Sequence, residues 1–314
     1  MTKAVIAIHG GVGALTRSQL SPENEQRYIQ ALSDIVSAGQ QILAEGGSAL
    51  DAVTQAVRLL EECPLFNAGI GSVFTRAATH ELDACIMDGR QLQAGAVAGV
   101  RHIRHPILAA RQVMEHSPHV LLIGEGAEAF AFEHGAERVD ATFFSTDERY
   151  QQLLRAQDRA EIQLDHDSPA PLNSDTKFGT VGAVALDKDG NLAAATSTGG
   201  MTNKLPGRVG DSPIVGAGCY ANVAVSCTGT EEVFMRTLAA YDIAALMEYG
   251  QLSLQQATER VVMEKLPVLG GVGGMIAIDN QGNVALPFNS EGMYRGVGFV
   301  GDAPSIGIYR DEGF

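Results

Sequence analysis

Residues 179–200 read GTVGAVALDKDGNLAAATSTGG, and this stretch carries a clear β-hairpin pattern. Residues 181–186 and 192–197 are mostly small or apolar, and the turn-forming sequence DKDGN separates them. Short apolar runs on either side of such a turn are typical of two antiparallel strands. A similar pattern, MIAIDNQGNVALPF, follows at residues 275–288. Both stretches are therefore predicted to form strands.

The apolar spacing elsewhere predicts buried strands in each half of the chain, with helices between them. Strands are predicted over residues 4–8, 82–88, 95–100 and 119–123. Helices are predicted over residues 23–45, 48–60, 106–115, 125–134, 233–248 and 253–265, the second of them capped by Ser48. Residues 151–179 are polar, contain prolines and lose core periodicity near their end, so they are predicted to be an exposed, flexible linker.

The chain of 314 residues is acidic, with a formal net charge of −15 and a pI near 4.9. Binding to nucleic acid or to an anionic membrane requires basic surface, so neither is expected as a partner. No stretch approaches the roughly 18 apolar residues of a membrane-spanning helix. The first residues also lack the long apolar segment of a signal peptide.

The cysteines and the common catalytic motifs narrow the possible chemistry further. Cys63, Cys85, Cys219 and Cys227 match no zinc spacing, and they are predicted to be reduced, mostly buried thiols of a cytoplasmic protein. The chain has no G-x-S-x-G serine nucleophile and no Walker loop. Residues 124–129 (GEGAEA) have alanine in place of the third glycine of a dinucleotide-binding loop, so a tight strand-to-helix turn is favoured there.

The histidines are distributed unevenly, and this bears on how a nucleophile could be activated. All eight lie at or before His166, whereas residues from 180 onward carry many Thr, Ser, Arg and Asp side chains at predicted strand ends. A nucleophile there needs a base other than a nearby histidine, and a free α-amine, with a pKa of about 7.7–8.0, is one candidate. Such an amine arises if the chain is cut directly before Thr180. From the residues alone, Thr180 is either a catalytic N-terminal threonine or an ordinary β-branched strand residue.

Five long motifs, spread over nearly the whole chain, carry a resemblance to a known family. They are IAIHGGVG (6–13), LLEECPLFNAGIGSVFT (59–75), ELDACIMDG (81–89), the run from residue 179 to GAGCYA at 216–221, and GGVGGMIAIDNQGNVALPFNSEGMYRG (270–296). Together they resemble the plant-type asparaginase/isoaspartyl aminopeptidase family of N-terminal-nucleophile hydrolases, and most of all its bacterial isoaspartyl dipeptidases. The resemblance implies an α+β fold, a four-layer αββα sandwich with two stacked sheets between helical layers.

The resemblance also implies how the chain is processed and how it assembles. Residues 1–314 would form a single domain that cleaves itself at Gly179-Thr180 into an α chain (1–179) and a β chain (180–314). Two such αβ units are expected to assemble as a dimer. The freed Thr180 would hydrolyse isoaspartyl dipeptides and L-asparagine without a catalytic cofactor.

Residue roles follow from the resemblance position by position. Thr180 matches the family's nucleophile, and Thr198 matches the threonine that forms a hydrogen bond with it. Arg208 matches the residue that grips the substrate α-carboxylate, a task for which the planar guanidinium is suited. Asp211 matches the acceptor of the substrate α-ammonium group.

Two further parts of a site are implied in the same way. Thr228 and Gly229 match a substrate-binding pair that helps to form the oxyanion site, and Asn67 matches an asparagine near the same pocket. The loop around Asn67 resembles a sodium-binding loop in which backbone carbonyls hold the ion, and hard cations prefer such oxygen ligands. The matching residues are Leu60, Glu61, Cys63, Phe66, Ala68 and Ile70. A tight connection without an ion is the alternative.

Two features depart from the family pattern close to Thr228. The connection over residues 221–224 is shorter than relatives usually have, and Glu231 stands where relatives usually have glycine. Two alternative functions therefore stay open. One is a relative that acts on glycosylated asparagine or on longer proteins, although Arg208 and Asp211 favour small substrates. The other is an inactive, uncleaved scaffold, which Glu231 keeps open.

Overall fold

The strands of the computed structural model, which describes residues 3–13, 20–165 and 179–313, form two sheets. The larger sheet contains β1 (Val5–Gly13), β2 (Leu82–Asp88), β3 (Gln93–Val100), β4 (Leu121–Ile123), β5 (Thr180–Leu186), β6 (Leu192–Thr198), β11 (Gly292–Phe299) and β12 (Ser305–Tyr309). The smaller contains β7 (Cys219–Ala221), β8 (Ala224–Gly229), β9 (Gly273–Ile278) and β10 (Val284–Ala285). The strand orders are β12-β11-β1-β5-β6-β2-β3-β4 and β10-β9-β8-β7. Strands β5 and β6 therefore lie at the centre of the larger sheet.

Helices cover the outer face of each sheet. The larger sheet packs against α1 (Pro22–Ala44), α2 (Ala49–Glu62) and α3 (Pro106–His116), and α4 (Gly124–Glu133) lies beside them. Helix α5 (Asp147–Asp165) follows a short 3₁₀ turn. The smaller sheet is covered by α6 (Glu231–Thr237), α7 (Ala239–Glu248), α8 (Leu254–Glu259) and, after a π-helical turn at Arg260–Lys265, α9 (Leu266–Val268). Across the described part of the chain, none of the helices has both the length and the apolar character needed to cross a membrane.

Strand β1 shows how the layers stack. Ile6 and Ile8 belong to the apolar core between the larger sheet and its helices, whereas Val5 and Ala7 belong to the core between the two sheets. Because both faces are buried, the strand is continuously apolar and does not alternate with polar residues. A third core lies between the smaller sheet and α6–α9. The predicted four-layer αββα sandwich is therefore confirmed.

The β5–β6 hairpin forms as the sequence predicts, and its register is set by its turn. The Asp187 carboxylate accepts hydrogen bonds from the backbone N–H groups of Asp189 and Asn191, at 3.0 and 2.9 Å. These bonds close the turn, and the strands then pair without interruption from Leu186 opposite Leu192 to Thr180 opposite Thr198. The two threonines therefore meet at the open end of the hairpin.

Helix α2 begins where its capping signal predicts, and it ends at the loop that borders Thr180. The hydroxyl of Ser48 accepts a hydrogen bond from the backbone N–H of Asp51 at 3.1 Å, which satisfies one unpaired donor of the first turn. One face of the helix, including Leu60, is buried against β5 and β6. The loop after Glu62 is thus held against the central strands.

The linker predicted over residues 151–179 is wrong in its first part. Residues 151–165 continue helix α5, whereas residues 166–178 lie outside the described residues. The sequence is rich in Gln, Leu, Arg and Ala, which favour helix even where the pattern is polar. Leu153 is buried, and the Arg149 guanidinium donates a hydrogen bond of 2.7 Å to the carbonyl of Gly71. These contacts hold the start of the helix on the core.

The helix predicted over residues 233–248 is interrupted. Leu238 has a left-handed conformation, with φ of 48°, and it separates α6 from α7. The backbone N–H groups of Ala240 and Tyr241 donate to the carbonyls of Ala217 and Gly216, at 3.1 and 2.8 Å. These tertiary hydrogen bonds take the place of helical ones, so a packed loop breaks the local pattern.

Candidate active site

Thr180 is the first residue of β5, and its side chain is almost completely buried. Its hydroxyl donates a hydrogen bond to the hydroxyl of Thr198, and the two oxygens are 3.2 Å apart. The hairpin register places the two residues directly opposite each other. The predicted partners therefore lie together, as the resemblance implies.

The Gly179-Thr180 peptide lies within the same group of hydrogen bonds. The Thr198 hydroxyl faces the carbonyl oxygen of Gly179 at 3.5 Å, and it accepts a hydrogen bond of 2.9 Å from the backbone N–H of Gly200. Thr198 thus contacts both the candidate nucleophile and the carbonyl before it. This arrangement suits attack by the Thr180 hydroxyl on its own preceding peptide bond.

Asn67 positions the backbone around this group. Its side-chain amide donates to the carbonyl of Gly200 at 2.7 Å, and its side-chain oxygen accepts from the N–H of Val73 at 2.9 Å. A Cβ on Gly179 would lie 2.8 Å from the Cβ of Asn67, so the two residues are in close contact. Both ends of the Asn67 side-chain amide form hydrogen bonds with backbone groups. Asn67 therefore holds this backbone in place near the pocket.

Thr228 and Gly229 end strand β8, in the sheet that faces β5. The Thr228 hydroxyl is buried and has no hydrogen-bond partner among the described residues, so it can donate to a bound group. Gly229 has a φ of 144°, and a side chain there would clash with the backbone of Val272. The position therefore requires glycine.

The guanidinium of Arg208 is already paired with two carboxylates. Its guanidinium contacts Glu231 at 2.9 Å, between Nη1 and Oε2, and Glu232 at 2.8 Å, between Nη2 and Oε1. The second oxygen of Glu231 lies 3.4 Å from the Thr180 hydroxyl oxygen, as an alternative acceptor to Thr198. Burial lowers the pKa of Arg208, but the charges and hydrogen bonds of Glu231 and Glu232 together outweigh it, so the net direction is upward. Burial raises the pKa of Glu231, against the opposing charge of Arg208.

Asp211 is completely buried, and neither of its carboxylate oxygens has a hydrogen-bond partner within the described parts of the chain. Burial, together with the charge of Glu231, raises the pKa of Asp211 well above its ordinary value. A buried carboxylate without a partner is unfavourable unless a ligand completes it. Asp211 is therefore a candidate partner for a positively charged group of a ligand.

Lys204 is a residue of this region that the sequence reasoning missed. Its ammonium is buried and donates to the carbonyl of Glu81 at 2.8 Å. A Cβ on Gly200 would lie 2.9 Å from the Lys204 Nζ and 3.2 Å from the Arg208 Nη1, so both cations flank the same turn. Burial lowers the pKa of Lys204 more than the nearby charge of Asp83 raises it, so the net direction is downward. A lysine between Thr198 and Arg208, in a run rich in glycine, was the available signal.

His9 lies near Thr180 in space but is engaged elsewhere. Its Nε2 is 2.8 Å from the Ser226 hydroxyl, which in turn is 2.7 Å from the hydroxyl of Thr196. Complete burial lowers the pKa of His9 to about 3, so the ring is neutral. The Nε2 atom is therefore used in contacts between the two sheets, and the contact of the ring with Thr180 is with its backbone, which opposes the effect of burial on the pKa of His9.

The loop predicted to bind sodium is compact, and three of its carbonyl oxygens lie close to its glycines. The Glu61 carbonyl accepts from the N–H of Ile70 at 2.8 Å, and it lies against the alpha carbon of Gly69 so closely that a side chain would clash. The carbonyls of Pro64 and Phe66 crowd Gly71 in the same way. Backbone oxygens are ligands that a hard cation accepts, and the Glu61 carbonyl already accepts the N–H of Ile70. The sodium site stays a prediction.

Two stacked sheets between helical layers form the αββα fold of the N-terminal-nucleophile hydrolases, and in this chain a threonine occupies the first position of a central strand. The chain belongs to the asparaginase family, whose family model matches residues 2–308. It is therefore an amidohydrolase of the asparaginase type.

Curated relatives with closely similar sequences support this assignment. An isoaspartyl peptidase of Salmonella typhimurium is 72% identical over 99% of this chain and 100% of its own length. An isoaspartyl peptidase of Escherichia coli is also 72% identical, over 100% of this chain and 98% of its own length. A putative isoaspartyl peptidase/L-asparaginase of Dictyostelium discoideum is 55% identical, over 94% of this chain and 93% of its own.

Proposed function

We propose that this chain hydrolyses isoaspartyl dipeptides and L-asparagine, with Thr180 as a nucleophile that self-cleavage of Gly179-Thr180 exposes. The observation that carries the proposal is the contact of Thr180 with Thr198 at 3.2 Å, at the start of a central strand. Two relatives that are 72% identical bear the name isoaspartyl peptidase. Asp211, which is buried, and Arg208, which is partly buried, supply groups of opposite charge near that hydroxyl, as recognition of an amino acid requires.

In the proposed self-cleavage, the Thr180 oxygen attacks the carbonyl carbon of Gly179 and its hydroxyl proton passes to the peptide nitrogen as the C–N bond breaks. This converts the peptide bond into an ester, which water hydrolyses to leave a free α-amine on Thr180. Thr198, which faces both the hydroxyl and the Gly179 carbonyl, supports the polarisation of this carbonyl. The products would be an α chain of residues 1–179 and a β chain of residues 180–314.

In the proposed catalytic cycle, the new α-amine takes the hydroxyl proton of Thr180 as the oxygen attacks the side-chain amide carbon of the substrate. The amine and the hydroxyl belong to one residue, so covalent geometry holds them together and little orientation entropy is lost. The amine then returns the proton to the leaving nitrogen, and water hydrolyses the ester on Thr180. Thr228, whose hydroxyl is buried and unpaired within the described residues, and the backbone of Gly229 support the oxyanion.

The remaining parts of the proposal concern the state of the enzyme. We propose a dimer of αβ units, a structural sodium ion held by carbonyls of the Leu60–Ile70 loop, and a cytoplasmic location. The carbonyl oxygens of the loop support the ion as candidate ligands, and four free cysteines support a reducing compartment. Light scattering on the purified protein, and thermal stability in sodium against choline chloride, test the first two.

The central test combines intact mass with activity. The purified protein should give two masses that meet at Gly179-Thr180, and Thr180→Ala should give one uncut chain that releases no leucine from β-aspartyl-leucine. Thr142→Ala, at an exposed threonine, is the matched control and should be cut and active. Full activity in Thr180→Ala would overturn the mechanism.

One observation favours a second candidate, an uncleaved and inactive scaffold. The Glu231 carboxylate already binds Arg208 and faces Thr180, where a substrate would be expected. A single band on a denaturing gel, with no release of leucine, would favour this candidate over the enzyme.

A further inference from the structure

Glu231 places a carboxylate between the candidate nucleophile and the guanidinium of Arg208. One of its oxygens is 3.4 Å from the Thr180 hydroxyl, and the other is 2.9 Å from Arg208 Nη1. The side chain is buried, and it packs so closely on Gly210 that a Cβ there would clash with the carboxylate. Glu231 is thus held inward as part of the site.

This carboxylate stands where a ligand's carboxylate would have to bind. Arg208 also donates from Nε to Glu232 at 2.9 Å, so the outer edge of its fork is engaged as well. A substrate with a free α-carboxylate must therefore displace Glu231 from Arg208, or bind beside it with two negative charges sharing one guanidinium. Like charges in a water-poor site repel strongly.

Asp211, at the other end of the site, does not offset the repulsion between Glu231 and a substrate carboxylate. Asp211 is buried with both oxygens unpaired among the described residues, and the electrostatic influence of Glu231 reaches it. The site sets three carboxylates, Asp211, Glu231 and Glu232, against the two cations Arg208 and Lys204. This excess of negative charge favours a ligand that brings a positive charge and no negative one. A carboxamide fits this balance, since its NH₂ group can donate to Glu231 while its oxygen accepts from a cation.

We propose that Glu231 is a specificity-determining residue that occupies the α-carboxylate position on Arg208 and selects against substrates with a free α-carboxylate. The favoured substrates are β-aspartyl amides that keep the α-ammonium but carry the α-carboxyl as an amide. This inference rests on the proposed function of Arg208 and Thr180. It concerns the group on the α-carbon, whereas the bond that is cut remains the β-amide.

Kinetics on a matched pair of substrates test the proposal. The pair is β-aspartyl-leucine and the same dipeptide with its aspartyl α-carboxyl amidated, and released leucine reports cleavage of the same bond in both. Glu231→Gly should raise kcat/KM for the free carboxylate relative to the amide by about tenfold or more, mainly through KM, because the repelled group is bound equally in ground and transition states. Glu231→Gln, which keeps the size but removes the charge, should shift the ratio in the same direction.

The control is Glu248→Gln, which removes one negative charge from an exposed residue and should leave the ratio unchanged. A ratio that stays within about twofold of the unsubstituted protein in both Glu231 variants would overturn the proposal. Melting temperatures of all variants identify any that fail to fold.

Calorimetry separates this inference from the proposed function. Aspartate and its α-amide are products of the two substrates, and their binding needs no turnover. Aspartate should bind Glu231→Gly at least about tenfold more tightly than the unsubstituted protein, and the α-amide should gain less. If no variant is cut and none releases leucine, the proposed function fails. The calorimetric comparison still decides the role of Glu231, and equal gains for both ligands would reject it.

Discussion

The hydroxyls of Thr180 and Thr198 lie 3.2 Å apart because the two residues are opposite each other at the open end of one hairpin. Thr198 also accepts the N–H of Gly200 at 2.9 Å and faces the carbonyl of Gly179 at 3.5 Å. One hydroxyl therefore orients the candidate nucleophile and contacts the bond that it is proposed to cut. The register of β5 and β6 places Thr198 opposite Thr180, and the Gly200 N–H helps to hold its hydroxyl there.

Replacement Thr198→Val should slow both self-cleavage and turnover. Valine keeps the shape but leaves the Gly200 N–H without a partner, and the loss of a buried partner costs about 1–3 kcal/mol. We expect kcat to fall by roughly tenfold to a hundredfold. Time-resolved gels and leucine release check this, with Thr142→Val as the exposed control. Cleavage and turnover at the unsubstituted rates would contradict the role of Thr198.

Replacement of Asp211 should make the protein more stable and its binding of substrate weaker. The buried carboxylate of Asp211 has no partner within the described residues, so Asp211→Asn should stabilise the unliganded protein by about 1–3 kcal/mol while it removes the proposed partner of the substrate α-ammonium. Activity on L-asparagine should fall by an amount on the order of 2–5 kcal/mol, since a charged partner is left unpaired. Urea denaturation and ammonia release measure the two effects, with exposed Asp189→Asn as the control. A less stable variant with full activity would reject this assignment.

His9 should make the protein less stable in mild acid. Burial lowers its pKa to about 3 from 6.5, so between these values the unfolded chain binds more protons and stability rises with pH. From pH 7.5 down to pH 5 the loss attributable to His9 should be about 2 kcal/mol, and it should be absent in His9→Gln. Burial raises the pKa of Asp83 to about 6, which acts in the opposite direction, so the difference between proteins is the quantity to measure.

Urea denaturation at both pH values, in the Thr180→Ala background where a single chain unfolds, gives that difference. Exposed His119→Gln serves as the control and should behave like the background protein. An equal pH dependence in the His9→Gln variant would show that His9 is not the source.

Gly182 should tolerate no side chain, because β5 stacks on β8 at this point. A Cβ there would clash with the Ser226 hydroxyl and lie 2.6 Å from the Nε2 of His9. Gly182→Ala should therefore cost about 1–3 kcal/mol of the free energy of unfolding. Gly126→Ala is the matched control, because nothing lies within 4 Å of its Cβ and alanine favours helix α4 by up to about 1 kcal/mol. Equal stability of the two variants would refute the close stacking.

The hairpin, the continuously apolar strands and the family motifs predicted much of the fold and of the site. The Asp187 turn sets the register that pairs Thr180 with Thr198. The turn directly joins the two strands, so this pairing is local in sequence. The helix over residues 147–165 and the break at Leu238 were missed, because burial of Leu153 and hydrogen bonds to residues 216 and 217 override the local pattern.

The family motifs in the sequence identified Thr180 as the candidate nucleophile. Strand periodicity and a short turn, which are local properties of the chain, placed it at the start of a predicted strand. The sequence also showed that Glu231 departs from the family pattern. Only the tertiary structure decided where that carboxylate goes, by packing α6 against the loop that carries Arg208 and bringing the two to 2.9 Å. The physical reason is that a buried charge takes the partner that the whole fold presents to it, and no local pattern encodes that choice.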